Sequence, residues 1–398
     1  MDKPVILCLA SYFKGTTFLT AVKHLGCRVL LVTREKLQDK PWPHEDIDEI
    51  FFMPSLSQRP DIIYAIAYLM RTEAVDRIVP LDDYDVETAA SLREHFRLPG
   101  IGETTIRHFR DKLAMRTKAR AEGFLVPEFS SVFNYDRLRT FMQKVPPPWL
   151  LKPRSEAGAM GIKRAESEGV VWQFLEQLGD EQSYFLLEQF VPGEVYHVDS
   201  IMWEGKACFA LAHKYMRPPI NVAHDGGVFV TRTLPRDGEE ATMLCELNEM
   251  LLQKLGMTHG VSHTEFIRDG NGRFHFLETA ARVGGANIEQ LVKAASGVNL
   301  WEEWAKLEVA QIRNEPYDLP KDKGQYAGVL ICLARQAWPD LSSYQAEEIV
   351  YRVHKEQHAG LIVASPDFER VEALLIEYSN QFAQDFLAVA PPLDTAPT

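Results

Sequence analysis

Over the first hundred residues, short apolar runs alternate with stretches that repeat apolar positions every three or four residues. The runs Val5–Ala10, Arg28–Thr33, Glu49–Met53 and Arg77–Pro80 have the length of buried strands. The periodic stretches at roughly Thr17–Leu25, Pro60–Thr72 and Val86–His95 read as helices. Such alternation predicts an α/β domain with a doubly wound parallel sheet. The first strand runs into Ser11-Tyr12-Phe13-Lys14-Gly15 and not G-x-G-x-x-G, so a dinucleotide-binding reading loses its main support.

A basic helical segment, Ile106 to Glu122, follows and ends at Gly123 with Pro127 beyond it. From Trp149 the texture changes to antiparallel strands: WLLKP, FLLEQFV, VYHVDSIM, KACFALAHKY and VFVTRTL. Helices at Glu239–Leu255 and Ile288–Ala295 interrupt and follow them, which makes an α+β block. Gln311–Gly324, polar and containing Pro, reads as a linker. The remainder alternates again (strands Tyr326–Leu333 and Gly360–Ser365, helices Ser343–Val350 and Asp367–Phe386) and predicts a small C-terminal α/β domain. The expected domains are 1–105, 106–310 and 311–398.

Composition narrows the class without choosing a function. The 398 residues are 46% hydrophobic and 25% charged, ordinary for a globular enzyme. A net charge of −13 argues against a nucleic-acid backbone as partner. The five cysteines show no C-x-x-C spacing, which suits reduced thiols in a cytoplasmic protein. No apolar run approaches the ~18 residues that span a bilayer, and neither a signal peptide nor a membrane association is expected.

Residues 263–285, HTEFIRDGNGRFHFLETAARVGG, carry the most chemistry. Asp269-Gly270-Asn271-Gly272 is a strong turn signal between two strand-like segments. A tip at Gly270-Asn271 sets Glu265 opposite Phe276 and His263 opposite Glu278. Glu265 and Glu278 then lie on one face as diagonal neighbours, with Cα atoms roughly 7–8 Å apart. Two carboxylates so held can close on a hard divalent cation that keeps water or phosphate oxygens in its shell. A slip of one residue would send them to opposite faces.

Lys152 ends an apolar strand and precedes the small-residue loop Arg154 to Ile162. Such a loop leaves backbone N–H groups free to approach phosphate oxygens, with the lysine a point charge at its edge. Phe185 to Glu194 is an apolar strand running into a Pro-Gly turn. Its free main-chain groups suit an adenine, and the carboxylate past the turn suits ribose hydroxyls. Each motif alone reads more simply as a plain loop or core strand.

The order of the parts resembles the ATP-grasp superfamily, over nearly the whole chain. Basic helix, strand–Lys–small loop, E-x-F-x-x-G-E turn, carboxylate hairpin and R-x-G-G follow one another, after LDDYDVETAASL and the DK of FRDKLAMRTKA. The nearest likeness is to the branch with biotin carboxylase, carbamoyl phosphate synthetase and the L-amino acid ligases, and LETAARVGGANIEQLVKAASGVNL looks most like the last. The resemblance implies a central two-lobed ATP-grasp fold and an ATP-dependent ligase that joins a carboxylate to an amine through an acyl-phosphate. It implies that Lys112 and Lys152 contact ATP, that Glu156, Gly158 and Gly161 belong to the phosphate flap, and that Glu188, Gln189, Phe190 and Val191 hold adenine. Glu194 would take the ribose, Glu265 and Glu278 Mg2+ (or Mn2+), and Arg282 the acyl-phosphate and its transition state. Gly284 and Gly285 would offer N–H groups to the acyl oxygen. The resemblance also favours a homodimer.

One position departs from that pattern. Two residues after the second metal-binding glutamate the family usually has asparagine, and here stands Ala280. One oxygen ligand is thus missing, which keeps open a nucleotide-binding regulator without ligase activity. A carboxylase-like enzyme using bicarbonate is the other alternative. His197, His213 and His263 fall near the expected site, and Lys214, Arg217 and Arg232, in or beside MRPPINVAHDGG, are candidates for a substrate carboxylate. Which acid and which amine are joined is not legible, because pocket shape and a few polar contacts set specificity.

Overall fold

Residues 3–389 are described by the structure, a computed structural model. The N-terminal strands β1 (Val5–Ala10), β2 (Arg28–Arg34), β3 (Glu49–Met53) and β4 (Arg77–Pro80) form a parallel sheet in the order β3-β2-β1-β4. Helices cover it, so every residue of β1 is buried, as its unbroken apolar run requires. After β1 the chain turns at Gly15 (φ 74), where an added Cβ would lie 2.8 Å from Leu81. Asp85 accepts the Ser11 N–H at 2.7 Å and steadies this loop, which carries Tyr12 and Lys14.

The expected helix Ile106–Glu122 is broken. Asp111 caps a helix over Lys112–Ala121 by accepting from the N–H groups of Leu113 and Ala114, and Arg107–Phe109 form a separate 3-10 turn. Four antiparallel strands follow, β5 (Phe129–Ser131), β6 (Trp149–Pro153), β7 (Lys163–Ala165) and β8 (Phe185–Gln189), ordered β5-β8-β6-β7. Two helices absent from the sequence reading, Tyr135–Lys144 and Glu168–Leu178, bury its outer face around Leu138, Trp149, Leu151 and Leu187.

The largest sheet has eight strands, β13-β12-β9-β10-β11-β14-β16-β15. Its members are β9 (Gly193–Trp203), β10 (Lys206–Tyr215), β11 (Phe229–Thr233), β12 (Gly260–Asp269), β13 (Phe274–Ala280), β14 (Tyr326–Leu333), β15 (Ile349–Arg352) and β16 (His358–Ser365). The last three extend the central sheet from β11, and the helix Phe368–Asp385 packs on them with its own core around Leu375 and Phe382. The helix expected at Ser343–Val350 is absent: its end forms β15, paired with β16. The expected linker begins inside a helix, Leu300–Arg313, capped by Asn299. The MRPPINVAHDGG stretch contains a short helix, Pro219–Asp225. No helix among the described residues is long and apolar enough to cross a membrane.

Candidate functional site

A cavity of about 630 Å³ opens between the four-stranded and eight-stranded sheets, closed at the back by loops following β1 and β4. Its floor is the hairpin of β12 and β13, whose register differs from expectation in two ways. The turn has three residues, Gly270 to Gly272: Asp269 N–H donates to the Arg273 carbonyl, and Gly272, at φ 79, donates to Asp269. A bulge then intervenes, so that Phe266 pairs with Phe276 but Glu265 pairs with Glu278. His263 consequently faces Ala280 and not Glu278.

Either change alone would turn the two acids to opposite faces; together they restore one face and set the pair directly opposite. The extra residue is Leu277, whose carbonyl accepts from the Arg116 guanidinium. Glu265 Oε1 takes the Tyr215 hydroxyl at 2.7 Å and lies 3.6 Å from His263 Nε2. Burial works to raise the Glu265 pKa, but His263 and Tyr215 outweigh it and hold the carboxyl below its usual range. Glu278 Oε2 is 2.9 Å from Lys112 Nζ. Two converging carboxylates of this kind fit a hard divalent cation. Ala280 supplies no oxygen beside them.

At the opposite end stands Glu188, 1% exposed, gripped by Arg116 at 2.7 Å and by Lys152. Burial would raise its pKa, but the two cations prevail and keep it below the ordinary value. Its carboxylate is therefore occupied. Gln189 and Phe190 give their N–H groups to the carbonyls of Glu128 and Pro148; among the described residues nothing accepts the Val191 N–H. Gln189, Phe190 and Val191 all line the cavity. Lys112 also donates to the Glu156 carbonyl, and Glu156 Oε2 accepts the Tyr84 hydroxyl at 2.8 Å, which ties the flap to the N-terminal sheet. Gly158 lines the cavity, whereas Gly161 does not.

Arg282 lies at the cavity's inner end, its Nε 3.6 Å from Asp83. Asp83 also holds Arg110 at 2.8 Å; burial opposes its ionisation, but Arg282 and Arg110 keep its pKa low. Gly285 lines this end, while Gly284 packs behind it against Asp199 and His263.

Three expected ligand contacts point elsewhere. Side chains alternate along a strand, and Val195, Tyr215 and Phe229 take the cavity side. Glu194 and Lys214 are thereby turned away and pair with each other at 2.6 Å, with Tyr196 donating to Glu194. Arg232 likewise faces the C-terminal helix, paired with Glu372 and stacked on Phe368. Conversely, Tyr12, Lys14, Asp82, Arg116 and Tyr215 line the cavity without having been singled out as contacts. LDDYD carried a signal for Asp82, while Arg116 and Tyr215 lie in segments with no readable spacing.

Its fold is shared with solved ligase and synthetase structures. No family model matches it. Among solved structures it is similar to the L-amino acid ligase from Bacillus licheniformis, with a TM-score of 0.77 at 16% identity over 98% of this chain and 99% of that one. Among curated proteins, the L-arginine-specific L-amino acid ligase of Bacillus subtilis is 25% identical over 272 residues, 67% of this chain and 63% of the relative. The alanine–anticapsin ligase of Bacillus subtilis is 24% identical over 283 residues, 65% of this chain and 57% of the relative. The match thus spans less than two thirds of these relatives' own length.

Proposed function

We propose that the protein is an ATP-dependent carboxylate–amine ligase that activates an acid as its acyl-phosphate and joins it to an amine, with an amino acid among its substrates. The observation that carries the reading is the directly opposed pair Glu265 and Glu278, facing a cavity that also holds Lys112, Lys152 and Arg282. The curated relatives, amino acid ligases, supply the substrate class. On this reading the nucleotide and metal are handled within 106–310, between the regions 1–105 and 311–398.

Glu265 and Glu278 would hold Mg2+, which when bound neutralises phosphate charge and orients the terminal phosphoryl group. The main chain at Gln189 to Val191 orients adenine. Lys112 leaves Glu278 for a phosphate oxygen, and Lys152, already desolvated beside Glu188, offers its remaining protons to the phosphates. Arg282, held by Asp83, stabilises charge on the transferring group and then on the acyl oxygen as the amine attacks. The flap at Glu156 to Gly161 and the helix Pro219–Asp225 shut out water that would hydrolyse the acyl-phosphate.

Phosphate release measured over pairs of amino acids and other small acids, with Mg2+ and ATP, tests the proposal. Release that requires both an acid and an amine is expected. Release dependent on bicarbonate would replace it with the carboxylase-like reading. Nucleotide binding with no acid-dependent ADP formation would favour a regulator, the reading that Ala280 keeps in view.

A further inference from the structure

Behind the hairpin lies a buried cluster that this chemistry does not use. Asp199, 0% exposed on β9, has Oδ1 3.0 Å from His263 Nδ1 and Oδ2 2.8 Å from His197 Nδ1. His197 Nε2 meets the Thr231 hydroxyl at 2.8 Å, and the His213 ring stacks on His197 at 4.6 Å. Burying a carboxylate among three imidazoles is costly unless its hydrogen bonds are made, and a purely structural core would be simpler with apolar side chains.

We propose that Asp199 is a positioning residue that holds His263 from behind and so fixes which oxygen Glu265 presents to the cation. An imidazole whose Nδ1–H is given to a carboxylate has its ring direction set. His263 Nε2 then points at Glu265 Oε1, the oxygen that also takes the Tyr215 hydroxyl. With both contacts on Oε1, Oε2 is the oxygen left for a metal.

Gly284 gives an independent sign that this bond is a built feature. A Cβ there would lie 3.0 Å from Asp199 Oδ1 and 3.1 Å from His263 Nδ1. The backbone just past Arg282 therefore rests on the Asp199–His263 hydrogen bond and links it to the far end of the cavity.

The inference rests on the ligase reading for its kinetic consequence, but metal binding tests it separately. In the full-length protein with ADP, Mn2+ binding is followed by electron paramagnetic resonance. Asp199→Asn keeps the shape but puts a donor where one imidazole N–H must be accepted. It is expected to weaken Mn2+ about 10–100-fold and to raise the Mg2+ needed for half-maximal phosphate release, with metal-free nucleotide affinity unchanged. His263→Gln, which can still donate toward Glu265, is expected to retain more Mn2+ affinity than His263→Ala. Mn2+ binding by Asp199→Asn within about twofold of wild type overturns the proposal, as does a loss confined to melting temperature. If Asp199→Asn does not fold, Gly284→Ala presses on the same bond without altering charge, and unchanged Mn2+ affinity there is equally decisive against it. Wild type that binds Mn2+ and ADP but releases no phosphate with any acid sinks the ligase reading and leaves the Mn2+ comparison standing.

Discussion

The two ends of the cavity use charge for different purposes. At the β8 end Glu188 is sealed from water and answered by two cations, Arg116 and Lys152, so the arrangement is complete before any ligand arrives. At the hairpin end Glu265 and Glu278 face each other across one strand pair, and between them they have one ammonium, one hydroxyl and a more distant imidazole. The first set stabilises the architecture of the cavity wall. The second keeps carboxylate oxygens free, as a site must if a cation is to complete it.

The largest effect that separates the ends is expected at the hairpin. Glu278→Gln should lower acid-dependent phosphate release about 100-fold or more, since even partners one step removed from a metal are worth 10–100-fold. Its unfolding free energy should change little, because Glu278 is one-third exposed. At the other end the order reverses. Glu188→Gln leaves two buried cations unanswered and should cost about 3–5 kcal/mol in denaturant unfolding. If both variants lose stability equally, the contrast between the ends is wrong.

The same contrast has a pH signature. Glu188 has a folded pKa below its ordinary value, so its contribution to stability is complete above that value, 4.5, and is lost as pH falls through the lowered folded one. Unfolding midpoints measured between neutral pH and pH 3 should decline more steeply in wild type than in Glu188→Gln. Smaller effects belong to residues that alternation turns outward. Arg232→Ala should cost about 1 kcal/mol by loosening the Phe368–Asp385 helix, with the Michaelis constant of every substrate unchanged. Smallest of all, Glu194→Gln should alter the Michaelis constant for ATP by less than about twofold; a larger rise would return Glu194 to the ribose.

Much of this was legible in the sequence. Strands β1, β3, β4 and β14 and the helix Glu239–Leu255 begin and end where the apolar patterns place them. β1 and β4 are wholly buried apolar runs, and the helix has one buried apolar face. What escaped is local backbone chemistry. Asp111 as a cap split one expected helix, and the pairing of Ile349–Arg352 with β16 overrode an apparently helical stretch. In the hairpin, turn length and bulge were both missed, and the same-face conclusion survived because the two errors compensate. The turned-away Glu194, Lys214 and Arg232 show the limit of motif matching: neighbours along a strand differ in face, which spacing alone does not assign when the strand's start is uncertain.

Arg116 joins the two halves of the story. Its guanidinium reaches Glu188 on the smaller sheet and the Leu277 carbonyl on the larger, where the bulge exposes that oxygen. One side chain thus works as a pivot pin through both jaws. The jaws cannot slide past each other without drawing that pin out, so β8 and the acid pair are mechanically linked.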